Sequence, residues 1–205
     1  MKDADFVLST DGEDISSGDV ASPRVLRRAA REAYRRGLQQ ETLSALIPEP
    51  PEKGVCLHVV SNGKFDYFRF VSLILSWLEP DGASELYGST WTLSRSNATD
   101  LLGLIDAGKI RRCSIVTGLY FLRRESDVAA LLAGGLSERG QRFKAFENHT
   151  KLLLISNPAR GAFWTVEGSA NWTANPRTEQ NILLNDEGLY NFHKTWLEEM
   201  FAKRR

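Results

Sequence analysis

From residue 54 to the end, short apolar runs of strand length alternate with segments of helix length. Val55-Cys56-Leu57-His58-Val59-Val60 is a short apolar run suited to a strand covered on both faces. Residues 65–78 are apolar enough for a buried helix, 85–93 read as a strand rich in aromatic and β-branched residues, and 97–107 as an amphipathic helix closed by Gly108. The same alternation gives a strand over 112–121, a short helix over 125–132 ending in Gly134-Gly135, and a strand over 142–146. Residues 151–156 and 163–166 form a strand pair around Asn157-Pro158-Ala159-Arg160-Gly161. A last strand over 182–184 and a closing helix over 187–203 complete the pattern. Strands alternating with helices predict an α/β domain with a mixed sheet and helices on both faces.

The first quarter reads differently. Residues 1–22 carry six acidic residues against one lysine, with no apolar periodicity, and are expected to be disordered. Residues 23–53 are expected to form a basic helix and a Pro-rich linker. Ser22-Pro23 suits a helix start, and Pro48, Pro50 and Pro51 follow a helix predicted over 23–46. Arg24, Arg27, Arg28, Arg31 and Arg35 would share one face of that helix. Such a stripe is by default a solvated face; its sharper reading is contact with a phosphate backbone. The main domain then spans 54–205. The 26 basic and 26 acidic residues of the full chain cancel, so net charge alone selects no partner. Cys56 and Cys113 lie in apolar runs and read as small core residues of a reducing compartment. The acidic start does not read as a signal peptide and no run reaches membrane-span length, so a cytoplasmic location is expected.

Two short segments carry chemistry. His149-Thr150-Lys151 leads into the apolar run Leu152-Leu153-Leu154-Ile155, and Gly168-Ser169-Ala170-Asn171-Trp172-Thr173 follows. In extended chain, residues i and i+2 share a face, which places His149 with Lys151 and Ser169 with Asn171. A nucleophile or base beside a fixed cation, faced by two uncharged hydrogen-bonding side chains, suits an anionic ester centre. The cation and donors hold the non-bridging oxygens, and charge developing in the transition state strengthens those bonds.

This pattern resembles the half-site of the phospholipase D superfamily, His-x-Lys followed by Gly-Ser-x-Asn. The resemblance covers roughly residues 54–205 and extends to an acidic residue further on, matched by Glu179. It implies a phospholipase D-like mixed β-sheet flanked by helices on both faces, preceded here by the N-terminal helical extension. It also implies a metal-independent phosphodiesterase, without cofactor, in which His149 attacks phosphorus to form a phosphohistidine. Lys151, Ser169 and Asn171 would hold the phosphate, and Glu179 would orient the imidazole. A second histidine must protonate the leaving oxygen, and neither His58 nor His193 lies in a His-x-Lys setting, so a homodimer with a shared active site is expected. The substrate expected by analogy is nucleic acid, DNA before RNA, bound in part by Arg24, Arg27, Arg28, Arg31 and Arg35, with no membrane partner.

The chain departs from the family at Ser156, where the motif carries an Asp. That change supports an alternative reading, a non-catalytic nucleic-acid-binding or assembly module that keeps the anion site. A lipid phosphodiesterase is the other alternative. Trp172 reads as core packing, His58 as a satisfied strand residue and His193 as a surface residue of the closing helix.

Overall fold

The computed structural model describes residues 24–28, 32–36, 43–61, 66–173 and 177–203. Among these, strands β1 (Arg24–Arg28), β2 (Glu32–Arg36), β3 (Cys56–Ser61), β4 (Ala83–Thr90), β5 (Ile110–Gly118), β6 (Arg142–Phe146), β7 (Leu152–Asn157), β8 (Ala162–Gly168) and β9 (Glu179–Asn185) form one sheet. Their order is β2-β1-β3-β9-β8-β7-β4-β5-β6. The pairs β4–β5 and β5–β6 are parallel, and the other pairs are antiparallel. Helices α1 (Leu43–Leu46), α2 (Arg69–Trp77), α3 (Arg95–Asp106), α4 (Leu119–Arg124), α5 (Ser126–Glu138) and α6 (Glu187–Ala202) surround it.

Strand β7 shows why the sheet is covered twice. All six of its residues are buried. Leu153 and Ile155 join the main core with Leu86, Ile115, Val166 and Leu183, under Phe70 and Ile74 of α2, Leu101 of α3 and Leu132 of α5. Leu152 and Leu154 point the other way, into a second core with Tyr87, Val116, and Tyr190 and Leu197 of α6. Burying each of these four side chains stabilises the fold by roughly 1.5–3 kcal/mol relative to exposure. A one-residue slip would exchange the two faces, so the register is tightly specified. The return turn is a short 3-10 segment, Pro158–Arg160, closed by Gly161 at φ 60°, a left-handed conformation that favours glycine.

Three expectations are corrected. Residues 24–28 and 32–36 pair as an antiparallel hairpin that continues the sheet from β3, and among the described residues of the predicted 23–46 helix only Leu43–Leu46 are helical. The open edge of β3 offers a row of backbone donors and acceptors, and pairing satisfies them in a way local helix periodicity does not register. Arg24, Arg27, Arg28 and Arg35 therefore share no helix face; Arg31 and the 1–22 segment lie outside the described residues. Leu43, Leu46 and Ile47 are each 3% exposed and belong to the main core, so packing begins ahead of residue 54.

The second correction concerns Gly134-Gly135, which lies inside α5. A Cβ on Gly135 would come 2.5 Å from Leu102 Cδ1, so this glycine admits close packing of α5 on α3. Third, the strand predicted over 112–121 ends at Gly118 and turns into α4.

The topology gathers the chemistry-bearing segments at one edge. Strands β4, β5 and β6 are parallel and end there, at Thr90, Gly118 and Phe146. Strand β7 runs against β4 and so begins there; β8 ends there and β9 begins there. The carboxyl ends of parallel strands are where open α/β sheets form ligand crevices. Among the described residues, no helix is long and apolar enough to cross a membrane.

Candidate active site

His149 sits in the short connection between β6 and β7, and Lys151 immediately precedes β7. His149 is exposed, whereas Lys151 is only 9% exposed. The ammonium of Lys151 donates to the carbonyl of His149 at 2.6 Å and lies 2.9 Å from Nδ1 and 3.5 Å from Nε2 of the ring. Burial pulls the Lys151 amine below its ordinary range, and the nearby Glu179 carboxylate partly opposes that shift. An ammonium held this way gains from any anion that approaches it.

Asn148, which the motif itself does not single out, holds this connection in place. It is 8% exposed. Its amide donates to Ser89 Oγ at 2.9 Å, and its carbonyl accepts from the backbone N–H and hydroxyl of Thr150 at 3.1 and 2.8 Å. Thr150 also meets Ser89, Oγ to Oγ, at 2.6 Å. His149 is thus flanked on both sides by residues tied to the end of β4. The sequence signal for Asn148 is only its adjacency to His149, because a buried amide has no periodicity of its own.

The Gly168–Thr173 segment alternates as extended chain. Ala170 and Trp172 are buried, while Ser169, Asn171 and Thr173 remain accessible. Trp172 is fully buried, near Tyr67 and Phe68, which agrees with its reading as core packing. Its backbone N–H donates to Thr90 Oγ1, and its carbonyl accepts from Asn97 Nδ2. A Cβ on Gly88 would come 2.5 Å from the Trp172 ring, so that glycine makes room for the anchor. Ser169 donates to the Glu179 carboxylate and accepts from the backbone N–H of Gln180 at 3.0 Å. Asn171 turns toward β4, its carbonyl oxygen accepting from Trp91 N at 3.3 Å and Thr90 Oγ1 at 3.4 Å. The structure therefore brings His149 to Lys151 and Glu179 to Ser169, with the Glu179 carboxylate in electrostatic reach of Lys151. Asn171 belongs to the neighbouring β4 end of the same edge.

Ser156 is accounted for across the ladder. Its register partner on β4 is Glu85, 8% exposed. Tyr190 Oη lies 3.0 Å from Ser156 Oγ and 3.2 Å from Glu85 Oε2, while Lys194 and Arg112 each reach the Glu85 carboxylate at 2.6 Å. A carboxylate is thus present beside position 156, supplied by the adjacent strand.

His193 departs from its reading as a surface residue: its side chain is 14% exposed. Trp196 donates to its Nδ1 at 3.0 Å, and its Nε2 lies 3.1 Å from Glu167. The Glu167 contact joins α6 to β8, and the Trp196 bond, within α6, holds the ring in place. Beside His149, a cleft of about 540 Å³ is lined by Trp91, Tyr120, Arg123, Arg124 and Glu147. A separate hollow of about 370 Å³ runs past Lys151, Gln180 and His193. Among the described residues, no three His, Cys, Asp or Glu side chains are grouped so as to hold a metal ion.

No protein-family profile matches the sequence, and no curated protein sequence matches it. Solved structures do. NucT from Helicobacter pylori is 14% identical, with 72% of this chain and 96% of that one covered at a TM-score of 0.50. Polyphosphate kinase from Porphyromonas gingivalis is 14% identical at a TM-score of 0.52, over 69% of this chain and 25% of the kinase. Nuc from Salmonella typhimurium, a phospholipase D family member, is 15% identical, over 65% of this chain and 88% of that one, at a TM-score of 0.49. At such identities the likeness speaks to architecture, and it agrees with the architecture expected from the His149–Lys151 and Gly168–Asn171 segments: the chain has the phospholipase D-like fold.

Proposed function

We propose that this protein is a phosphodiesterase that hydrolyses nucleic-acid phosphodiesters without a metal ion, through a phosphohistidine at His149. The observation that carries the proposal is the pairing of an exposed imidazole with the ammonium of a nearly buried lysine at 2.9 Å, at the sheet edge that also carries Ser169, Asn171 and Glu179. A phosphate entering this edge draws the Lys151 ammonium onto its non-bridging oxygens and frees the ring for attack. His149 forms a nitrogen–phosphorus bond as the phosphorus–oxygen bond of the leaving strand breaks. His149 of a second copy gives its proton to that oxygen. The same second imidazole then takes a proton from water as the water oxygen bonds to phosphorus and the nitrogen–phosphorus bond breaks. Glu179 orients the imidazole and balances Lys151. The sum is addition of one water across one ester bond, with both histidines returned to their starting state.

Turnover of bis-p-nitrophenyl phosphate in EDTA tests this directly. Wild type is expected to turn over, and rapid quenching to trap an acid-labile, base-stable phosphorus–nitrogen adduct. His149→Ala is expected to lose several orders of magnitude, more than the roughly 10²–10⁴-fold typical of general acid–base help. Unchanged turnover in His149→Ala, or strict dependence on added Mg²⁺ or Mn²⁺, overturns the proposal. The missing motif Asp at Ser156 does not favour a purely binding role, because Glu85 places a carboxylate beside that position.

A further inference from the structure

The cleft beside His149 holds groups that the hydrolytic steps do not use. Trp91 follows β4 and Tyr120 lies in α4, and their rings stack with centroids 4.2 Å apart and planes 21° apart. The two strands that carry them are parallel neighbours, with Thr90 opposite Thr117. Gly118 makes the approach possible: a Cβ there would lie 2.6 Å from Trp91 Cδ1 and 3.0 Å from the carbonyl oxygen of Asn148. Trp91 also lies 5.5 Å from the His149 ring. Tyr120 is 41% exposed, a rare large apolar surface left in water among the described residues. Arg123 and Arg124, both exposed, complete the wall, with the Arg124 guanidinium 6.0 Å from the centre of the Tyr120 ring. One carboxylate, Glu147, faces these two cations in the lining.

A stacked aromatic pair flanked by guanidiniums matches the two faces of a nucleotide, a flat base and a phosphate. Its 540 Å³ lies within the range of small-ligand sites. A duplex hides its base faces within its own stack, and only an unpaired or splayed nucleotide offers one. We infer that this cleft seats an unpaired nucleobase against Tyr120 and Trp91, with Arg123 and Arg124 on the flanking phosphates. The preferred substrate is then single-stranded nucleic acid or a frayed strand end, not intact duplex. This rests on the nucleic-acid reading of the His149 site and names the substrate class for it.

The test measures binding by fluorescence anisotropy in the full chain carrying His149→Ala, so that strands stay intact. The probes are labelled oligothymidylate, the same strand with abasic sugars, and its duplex with oligodeoxyadenylate. Oligothymidylate is expected to bind on the order of 5- to 150-fold more tightly than the abasic strand, the span for stacking of one base, and more tightly than the duplex. Tyr120→Phe is expected to keep that preference and Tyr120→Ala to erase it. Equal binding of oligothymidylate and the abasic strand, duplex binding as tight as single strand, or a preference that survives Tyr120→Ala overturns the inference. The abasic comparison uses the native Tyr120, so it decides the matter even if Tyr120→Ala misfolds. Turnover of bis-p-nitrophenyl phosphate by wild type is scored separately. Turnover without base-dependent binding removes the stacking site and keeps the hydrolase; base-dependent binding without turnover does the reverse.

Discussion

Glu85 and Ser156 form a testable pair, because the motif this chain resembles has an Asp at position 156 and here a carboxylate faces that position from β4. If the carboxylate has been relocated, Glu85→Gln and Ser156→Asp should each destabilise the fold, and the double variant should recover. Glu85 is bound by Lys194, Arg112 and Tyr190. Arg112 is 73% exposed at the side chain and its ion pair is worth under ~1 kcal/mol. Lys194 is 31% exposed and Glu85 10%, so this charge-assisted bond falls nearer ~1.5–3 kcal/mol. Loss of the charge in Glu85→Gln is therefore expected to cost about 2–3 kcal/mol, a drop of about 4–12 °C in melting temperature at the roughly 2–4 °C per kcal/mol of a domain this size. Ser156→Asp alone sets a second carboxylate directly across the ladder. At ~5 Å and an effective dielectric near 20, the repulsion is about 3 kcal/mol.

The double variant restores one carboxylate for Lys194 and Tyr190 to share, so it should lie within about 1–2 kcal/mol of wild type. Denaturant unfolding of all four proteins gives the coupling energy, expected at ~2 kcal/mol or more and stabilising. An additive cycle refutes the relocation and leaves Glu85 as an ordinary anchor for α6.

The remaining predictions concern the site and the surface. Subunit exchange between wild type and His149→Ala should make activity fall as the square of the wild-type fraction if two His149 side chains share one site; a linear fall, or full activity in a monomer by sedimentation equilibrium, removes the shared site. Glu198, held by Arg142 and then Tyr87, has its carboxyl depressed from 4.5 to about 2. Because the folded value lies below the unfolded one, its contribution is present above about pH 4.5 and is lost as pH falls toward 2. Unfolding midpoints should drop across that window, and Arg142→Gln should flatten the drop; an unchanged slope refutes the linkage. Replacing Arg24, Arg27, Arg28 and Arg35 with Gln should flatten the salt dependence of log K by about 0.9 for each phosphate they neutralise on duplex DNA, or about 0.7 on a single strand, while an unaltered slope means that these arginines neutralise none.

What could be read from the sequence, and what could not, divides by the range of the interaction. The run Leu152–Ile155 was legible as a strand because its apolar residues are contiguous, whereas its burial on both faces depends on α6 packing across the sheet. His149-Thr150-Lys151 and Gly168-Ser169-Ala170-Asn171 were visible because each is contiguous. The arginine spacing over residues 24–35 fits a helix locally, and only the open edge of β3 selects strands. Trp91 and Tyr120 meet because β4 and β5 are parallel neighbours, and Glu85 meets Ser156 because of one register. Neither adjacency leaves a mark on the local pattern. Gly134-Gly135 misled for a related reason: a glycine that ends a helix and one that admits a neighbouring helix look alike until Leu102 is placed beside it.

On the proposed hydrolytic reading, the geometry of β7 separates position 156 from the reacting centre. Lys151 lies at the site edge and Ser156 lies five positions along the same extended segment, about 17 Å away at the rise of a β-strand. A carboxylate at position 156 cannot touch a phosphate bound at Lys151. What it can do is hold the far end of β7 to α6, and in this chain Tyr190 reaches Ser156 itself while Lys194 reaches Glu85 on the adjacent strand. Under that proposal the two ends of the strand answer to different requirements, chemistry at one and anchoring at the other. Glu85→Gln should accordingly lower the melting temperature while leaving kcat for bis-p-nitrophenyl phosphate near wild type at temperatures where the variant is folded. A matching loss of kcat in the folded variant would show that the anchor reaches the site, and that the strand does not separate the two roles.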